Sequence, residues 1–73
     1  IVSREEALKS LAAAVERLPP TNRTVIQAYD IECQPIETVA ASIGRSVGAT
    51  YMLRARAHRM LAHAMGSASM FLG

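Results

Sequence analysis

The sequence predicts an all-α fold, a small four-helix domain containing a helix-turn-helix. Three observations predict it. Apolar residues recur at helical spacing in four separate stretches, and no stretch alternates as a half-buried strand would. A single residue, Arg45, separates the helix stop Gly44 from the helix start Ser46. A connection that short favours a wide angle between its helices over an antiparallel hairpin. The predicted domain covers residues 1–66, followed by a tail at 67–73.

Ser3 caps the first helix, and Glu6, three residues on, makes a capping box with it. Leu8, Leu11, Ala12, Val15 and Leu18 form its apolar stripe, about four turns long. Pro19-Pro20 stops it, because proline lacks an N–H and clashes with the preceding turn. Thr21 or Asn22 caps the second helix. Its stripe is Val25, Ile26, Tyr29 and Ile31, and it frays into Glu32-Cys33-Gln34. Pro35 suits the first position of the third helix, with Gln34 at the cap. Ile36, Val39, Ala40 and Ile43 follow at i, i+3, i+4 and i+7, and Gly44 closes the run with a positive φ. Ser46 caps a fourth helix that runs from Val47 to about Met65. Ala49, Leu53, Ala57, Met60, Leu61 and Ala64 make one face of it; Thr50, Tyr51, Arg54 and His58 make another. Gly66-Ser67-Ala68-Ser69 reads as a cap and tail, and Met70-Phe71-Leu72 as an apolar end that docks on the core or on a partner.

With 73 residues the chain is one small domain or part of one, and its core is thin. Its one cysteine excludes an internal disulfide and a zinc site of several thiolates. Cys33 reads as a small helix-end residue, and Met52, Met60 and Met65 as core filler. His58 and His63 are five apart and share no helix face well, so neither a metal nor a cofactor is expected. No Ser-His-Asp or Cys-His arrangement is implied, and no enzyme is expected. No apolar run approaches the roughly 18 residues that span a bilayer, so the expectation is a cytoplasmic protein without membrane insertion. The start, Ile1-Val2-Ser3, reads as the edge of a fragment or of a processed chain.

Charge is the strongest functional signal in composition. The formal net charge is only +2, but residues 38–73 carry Arg45, Arg54, Arg56 and Arg59 and no acid, while residues 1–37 are net acidic. A basic half suits a polyanion partner, and it equally suits a solvated helix face. In a helix-turn-helix, the opening turns of the second helix enter the major groove. Val47, Gly48 and Ala49 are small, so the backbone N–H groups behind Ser46 can approach phosphate. Thr50, Tyr51 and Arg54 reach base edges or the groove wall, with His58 one turn further on. Arg45, Arg56 and Arg59 read as phosphate contacts. The plainer reading of Tyr51 is a half-buried helix residue. A DNA-binding chain should show steep salt dependence and lose affinity when Arg54 is changed.

These residues resemble a known family. "LAAAVERLPPTNRTV", Leu11 to Val25, and "PIETVAASIGRSVGATYMLRARAHRML", Pro35 to Leu61, are similar to region 4, the C-terminal helix-turn-helix domain, of sigma-70-type RNA polymerase sigma factors, and most of all to the extracytoplasmic-function group. Glu37, Val39, Ala40, Ile43, Gly44, Ser46, Val47 and Gly48 fall on the family's pattern. Arg45 stands where the family usually has an apolar residue, Thr50 where it usually has Val, Tyr51 where Lys is common, and Arg54 where it has a core Leu. The resemblance implies recognition of the promoter −35 element by the fourth helix, contact with the β flap of the RNA polymerase core, and control by an anti-sigma factor. The alternatives are a helical protein-interaction domain without direct DNA recognition, or another helix-turn-helix transcription regulator.

Overall fold

A chain this short must hide its apolar side chains with few layers, and it does so by packing three helical segments around one long helix. The computed structural model describes residues 3–66. The expected tail at 67–73, Met70-Phe71-Leu72 included, lies outside the described residues. The helices are α1 (Arg4–Glu16), α2 (Pro20–Val25), α3 (Ile36–Ile43) and α4 (Val47–Met65). A π-helical turn, Ile26–Ile31, continues α2. There is no strand among the described residues. The fold is therefore the expected all-α domain, and α4 packs against α1, α2 and α3 in turn.

The cap of α1 is the one expected: the Glu6 N–H donates to Ser3 Oγ at 3.1 Å. Its buried stripe is shifted. Ala7, Ala14, Val15 and Leu18 are covered and Leu11 partly so, while Ala12 is exposed and Leu8 is 56% exposed. The small alanines let α1 lie close to its neighbours, which turns Leu8 to the rim of a groove.

The boundary after α1 also differs. The helix ends at Glu16, before the prolines, and its last carbonyl accepts from Arg23 Nη1 at 3.2 Å. Pro19 is extended (ψ 147) and Pro20 opens α2, a position where a missing N–H costs nothing. Neither Thr21 nor Asn22 is a cap. Asn22 is inside the helix and buried, and its Nδ2 donates to the Leu53 carbonyl at 3.0 Å, tying α2 to α4. The expected fraying is instead a regular widening: the Glu32 N–H reaches Gln27 O at 2.9 Å, and the Gln34 N–H reaches Ala28 O at 2.9 Å. Cys33 turns the chain out with a φ of 58. At α3 the start is one residue later than expected. Pro35 is the cap (ψ 143), and its carbonyl accepts from Thr38 and Val39.

The turn between α3 and α4 follows from Gly44. Its φ of 67 and ψ of 35 are left-handed, and a Cβ there would be strained. That conformation lets the Arg45 N–H reach back to Ala40 O at 3.1 Å and the Gly44 N–H to Ala41 O at 3.3 Å. The pair of bonds satisfies two carbonyls at the end of α3, a Schellman ending. Ser46 then starts α4 at once, its Oγ accepting from the Ala49 N–H at 3.1 Å.

Two apolar clusters hold the elements. Val15, Leu18, Ile26 and Ala57 form one, flanked by Leu11 and Leu61. Val25, Ala28 and Val39 form the other, flanked by Tyr29, Ile43 and Leu53. The inner ridge of α4 is therefore Thr50, Leu53, Ala57 and Leu61. Met60 and Ala64, expected inside, are exposed.

Replacing Gly44 with Ala forces a side chain into the left-handed turn and should lower unfolding free energy by about 1–2 kcal/mol. Asn22→Ala removes a covered hydrogen bond and should lower it by about 1–3 kcal/mol. Urea unfolding followed by circular dichroism measures both, and a midpoint unchanged in either variant contradicts the role given to that residue.

Candidate nucleic-acid interface

Ser46 places α4 so that its first turn opens outward. The Ser46 hydroxyl serves the Ala49 N–H. Val47, Gly48, Tyr51, Met52, Ala55, Arg56 and Arg59 are exposed, on the side away from the Thr50–Ala57 ridge, and Arg45 is exposed in the turn before them. Space around Gly48 is open: a Cβ built there meets nothing within 4 Å. Arg45 and Arg56 meet around a shallow depression with Ala49, Met52 and Leu53. The exposed side of these opening turns carries arginines and no carboxylate.

Not every residue expected at this face is on it. Thr50 is fully buried, and its hydroxyl donates to the Ser46 carbonyl at 2.8 Å. A threonine can be buried there because its own helix takes the hydrogen bond. It fills the core place that the resembling family gives to Val, and it has no side-chain atom to offer a base. Tyr51 is 43% exposed, and its ring meets the Tyr29 ring edge to face at 6.1 Å between centroids. It is thus both a packed helix residue and an exposed one.

Arg54 turns back toward the support. Its Nε lies 3.0 and 3.1 Å from the two Asp30 carboxylate oxygens, and its Nη2 lies 2.7 Å from Oδ1. The guanidinium also stacks 5.1 Å from the centroid of the Tyr29 ring. His58 Nε2 lies 3.0 Å from the other Asp30 oxygen, so one carboxylate engages both side chains. Burial pushes the Asp30 carboxyl up, but hydrogen bonds and charge from Arg54 and His58 together outweigh it and hold the group below the ordinary 3.8. The hydrogen bond to Asp30 in turn raises Arg54 above its ordinary value.

Sequence reasoning missed Met52, Ala55, Tyr29 and Asp30. Met52 was expected as core filler and is 63% exposed on the outer side of α4. Helical phase held a signal for it: once Leu53, Ala57 and Leu61 face in, residue 52 faces out. Nothing local pointed to Asp30, which is 24 residues from Arg54.

Next to this cluster, with Asp30 and His58 at its edge, Leu8, Leu11, Val15, Ile26, Ile31 and Leu61 help line an apolar groove of about 440 Å³ between α1, the π turn and α4. Leu8 and Ile31 are its most exposed apolar side chains. Among the described residues, no group of three or more His, Cys, Asp or Glu gathers as for a metal. No helix among them is long and apolar enough to cross a membrane.

A left-handed glycine turn feeding a capped helix with an open, acid-free outer side defines the helix-turn-helix class of DNA-binding domains. The chain matches the family model for sigma-70, region 4, over residues 8–61, and it belongs to that family. Comparison with curated proteins and with solved structures gave no significant match. Membership makes this a non-enzymatic transcription domain, of a family that works with DNA and the RNA polymerase core.

Because the folded Asp30 carboxyl titrates below its unfolded value, its contribution to stability is complete above about pH 5 and is lost as pH falls through about 4 and below. As pH is lowered from about 5 to well below the ordinary 3.8, urea midpoints should fall less for Asp30→Asn than for the natural chain. Equal decline in the two would contradict the pairing.

Proposed function

We propose that this domain recognises the promoter −35 element, with the opening turns of α4 in the major groove. The observation that carries the reading is the exposed, acid-free outer side of α4 directly after the Gly44 turn. Arg45, Arg56 and Arg59 supply phosphate contacts, and the N–H groups behind Ser46 and Val47 add a partial positive charge. Gly48 lets the backbone come near the duplex. Tyr51 and Met52 are placed to meet base edges, the apolar Met52 suiting a thymine methyl. Thr50 drops out of the contact set because it is buried, and Arg54 and His58 because Asp30 engages them.

The apolar groove between α1, the π turn and α4 fits an apolar segment of the RNA polymerase β flap, and an anti-sigma factor that covers this groove would compete with it. Both surfaces draw on α4, the duplex-facing one on its outer side from Val47 to Arg59 and the groove on His58 and Leu61.

Selection of duplexes from a random pool, by polymerase core loaded with the intact sigma polypeptide, tests the reading. A shared upstream sequence should emerge, and it should be lost when α4 carries Tyr51→Ala with Met52→Ala. Arg45→Ala and Arg59→Ala should each reduce the slope of log affinity against log salt by about 0.9, with little change in base preference. Leu8→Asp should weaken assembly with core and leave duplex affinity of the isolated chain unchanged. A pool that yields no preferred sequence contradicts promoter recognition and favours a purely protein-binding domain.

A further inference from the structure

The sequence of the turn and α4 contains four arginines and no acid, so counted along the chain all four charges are available to a polyanion. Folding withdraws part of it. Asp30, from the π turn, meets Arg54 with a fork of contacts between 2.7 and 3.1 Å and meets His58 at 3.0 Å. The adjacent Tyr29 closes the guanidinium from one face. Tyr51 packs edge to face on that same ring, so the exposed tyrosine of α4 and the held arginine share one support. The Asp30 side chain is only 24% exposed and that of Arg54 35% exposed, so water screens the pair less than it would a surface pair. A planar guanidinium that already spends its Nε and Nη2 edge on a carboxylate presents to a phosphate a nearly neutral pair, not a cation.

We propose that Asp30 is a positioning residue that restrains DNA binding: it holds Arg54 against the body of the domain and removes its charge from the face α4 offers to the phosphate backbone. The inference rests on the reading of α4 as the DNA-facing helix and adds a residue outside the helix-turn-helix to the determinants of affinity. Arg45, Arg56 and Arg59 then carry the counterion release, and Arg54 is a reserve cation. Anything that neutralises or displaces the Asp30 carboxylate frees that reserve.

Affinity of the 73-residue chain for a mixed-sequence duplex, measured across salt concentrations at about pH 8, above the ordinary imidazole range, tests this. The counterion effect needs no particular base sequence, so the readout does not depend on the promoter selection described above. Arg54→Gln should leave the salt slope of the natural chain unchanged. Asp30→Asn should steepen it by about 0.9 and raise affinity several-fold at moderate salt. The double variant, Asp30→Asn with Arg54→Gln, should lose that gain. A structural role alone would not make the effect of Arg54→Gln depend on residue 30. The proposal is overturned if Arg54→Gln flattens the slope of the natural chain by about 0.9, because Arg54 then already touches phosphate. It is equally overturned if Asp30→Asn, folded by circular dichroism, shows no gain, or if the gain survives in the double variant. Should Asp30→Asn melt the domain, the slope of Arg54→Gln in the natural background decides alone. A failed promoter selection together with the expected slopes would sink sequence recognition and leave the restraint standing.

Discussion

Every element of this domain meets on α4, and the constraint that makes this possible is the small size of what α4 buries. Thr50 and Ala57 are fully covered, with the half-buried Leu53 and Leu61 beside them. Small residues on that ridge allow α1, α2 and α3 to approach one helix from several sides. A large residue in place of Ala57 would push Val15, Leu18 and Ile26 apart. Close approach has a second consequence: polar atoms trapped at the contact must find partners within the chain. Thr50 uses its own helix, and Asn22 uses a carbonyl of α4. No described side chain that the fold buries is left with an unpaired polar atom. In a core this thin, one orphaned group would offset a sizeable share of the net stability.

The same geometry divides the surface. With the inner ridge of α4 fixed, its opening turns face away from the support, and the Schellman ending at Gly44 sets where that exposure starts. The acid of the chain is kept in the first half of the sequence, but folding carries one carboxylate across to α4. Asp30 and Tyr29 are neighbours in the π turn, and the widened backbone presents both of them to Arg54. The irregular segment is thus where the support reaches the helix that carries the charge. Charge counted along the chain and charge offered by the surface differ for this reason.

Much of the fold was legible from local chemistry. Helical periodicity, the Ser3 and Ser46 caps and the Gly44 stop are properties of a few consecutive residues, and each appears where such chemistry puts it. The boundaries near the prolines shifted, because Pro20 takes the first helical position of α2, ahead of the expected cap, while Pro35 stands one residue outside α3. Of the site, Arg45, Val47, Gly48, Tyr51, Arg56 and Arg59 are exposed as a polar or small residue after a capped turn should be. Thr50 was misread because a hydroxyl suggests water, whereas a helix can satisfy it internally.

The sequence by itself determined four helices, a tight left-handed turn and a basic second half, since these depend on propensity, capping and composition within a few residues. Tertiary structure alone decided that Asn22 is tied to the Leu53 carbonyl and that Arg54 and His58 answer to Asp30. Those outcomes depend on residues more than twenty positions apart coming within hydrogen-bonding distance, and no local pattern encodes that approach.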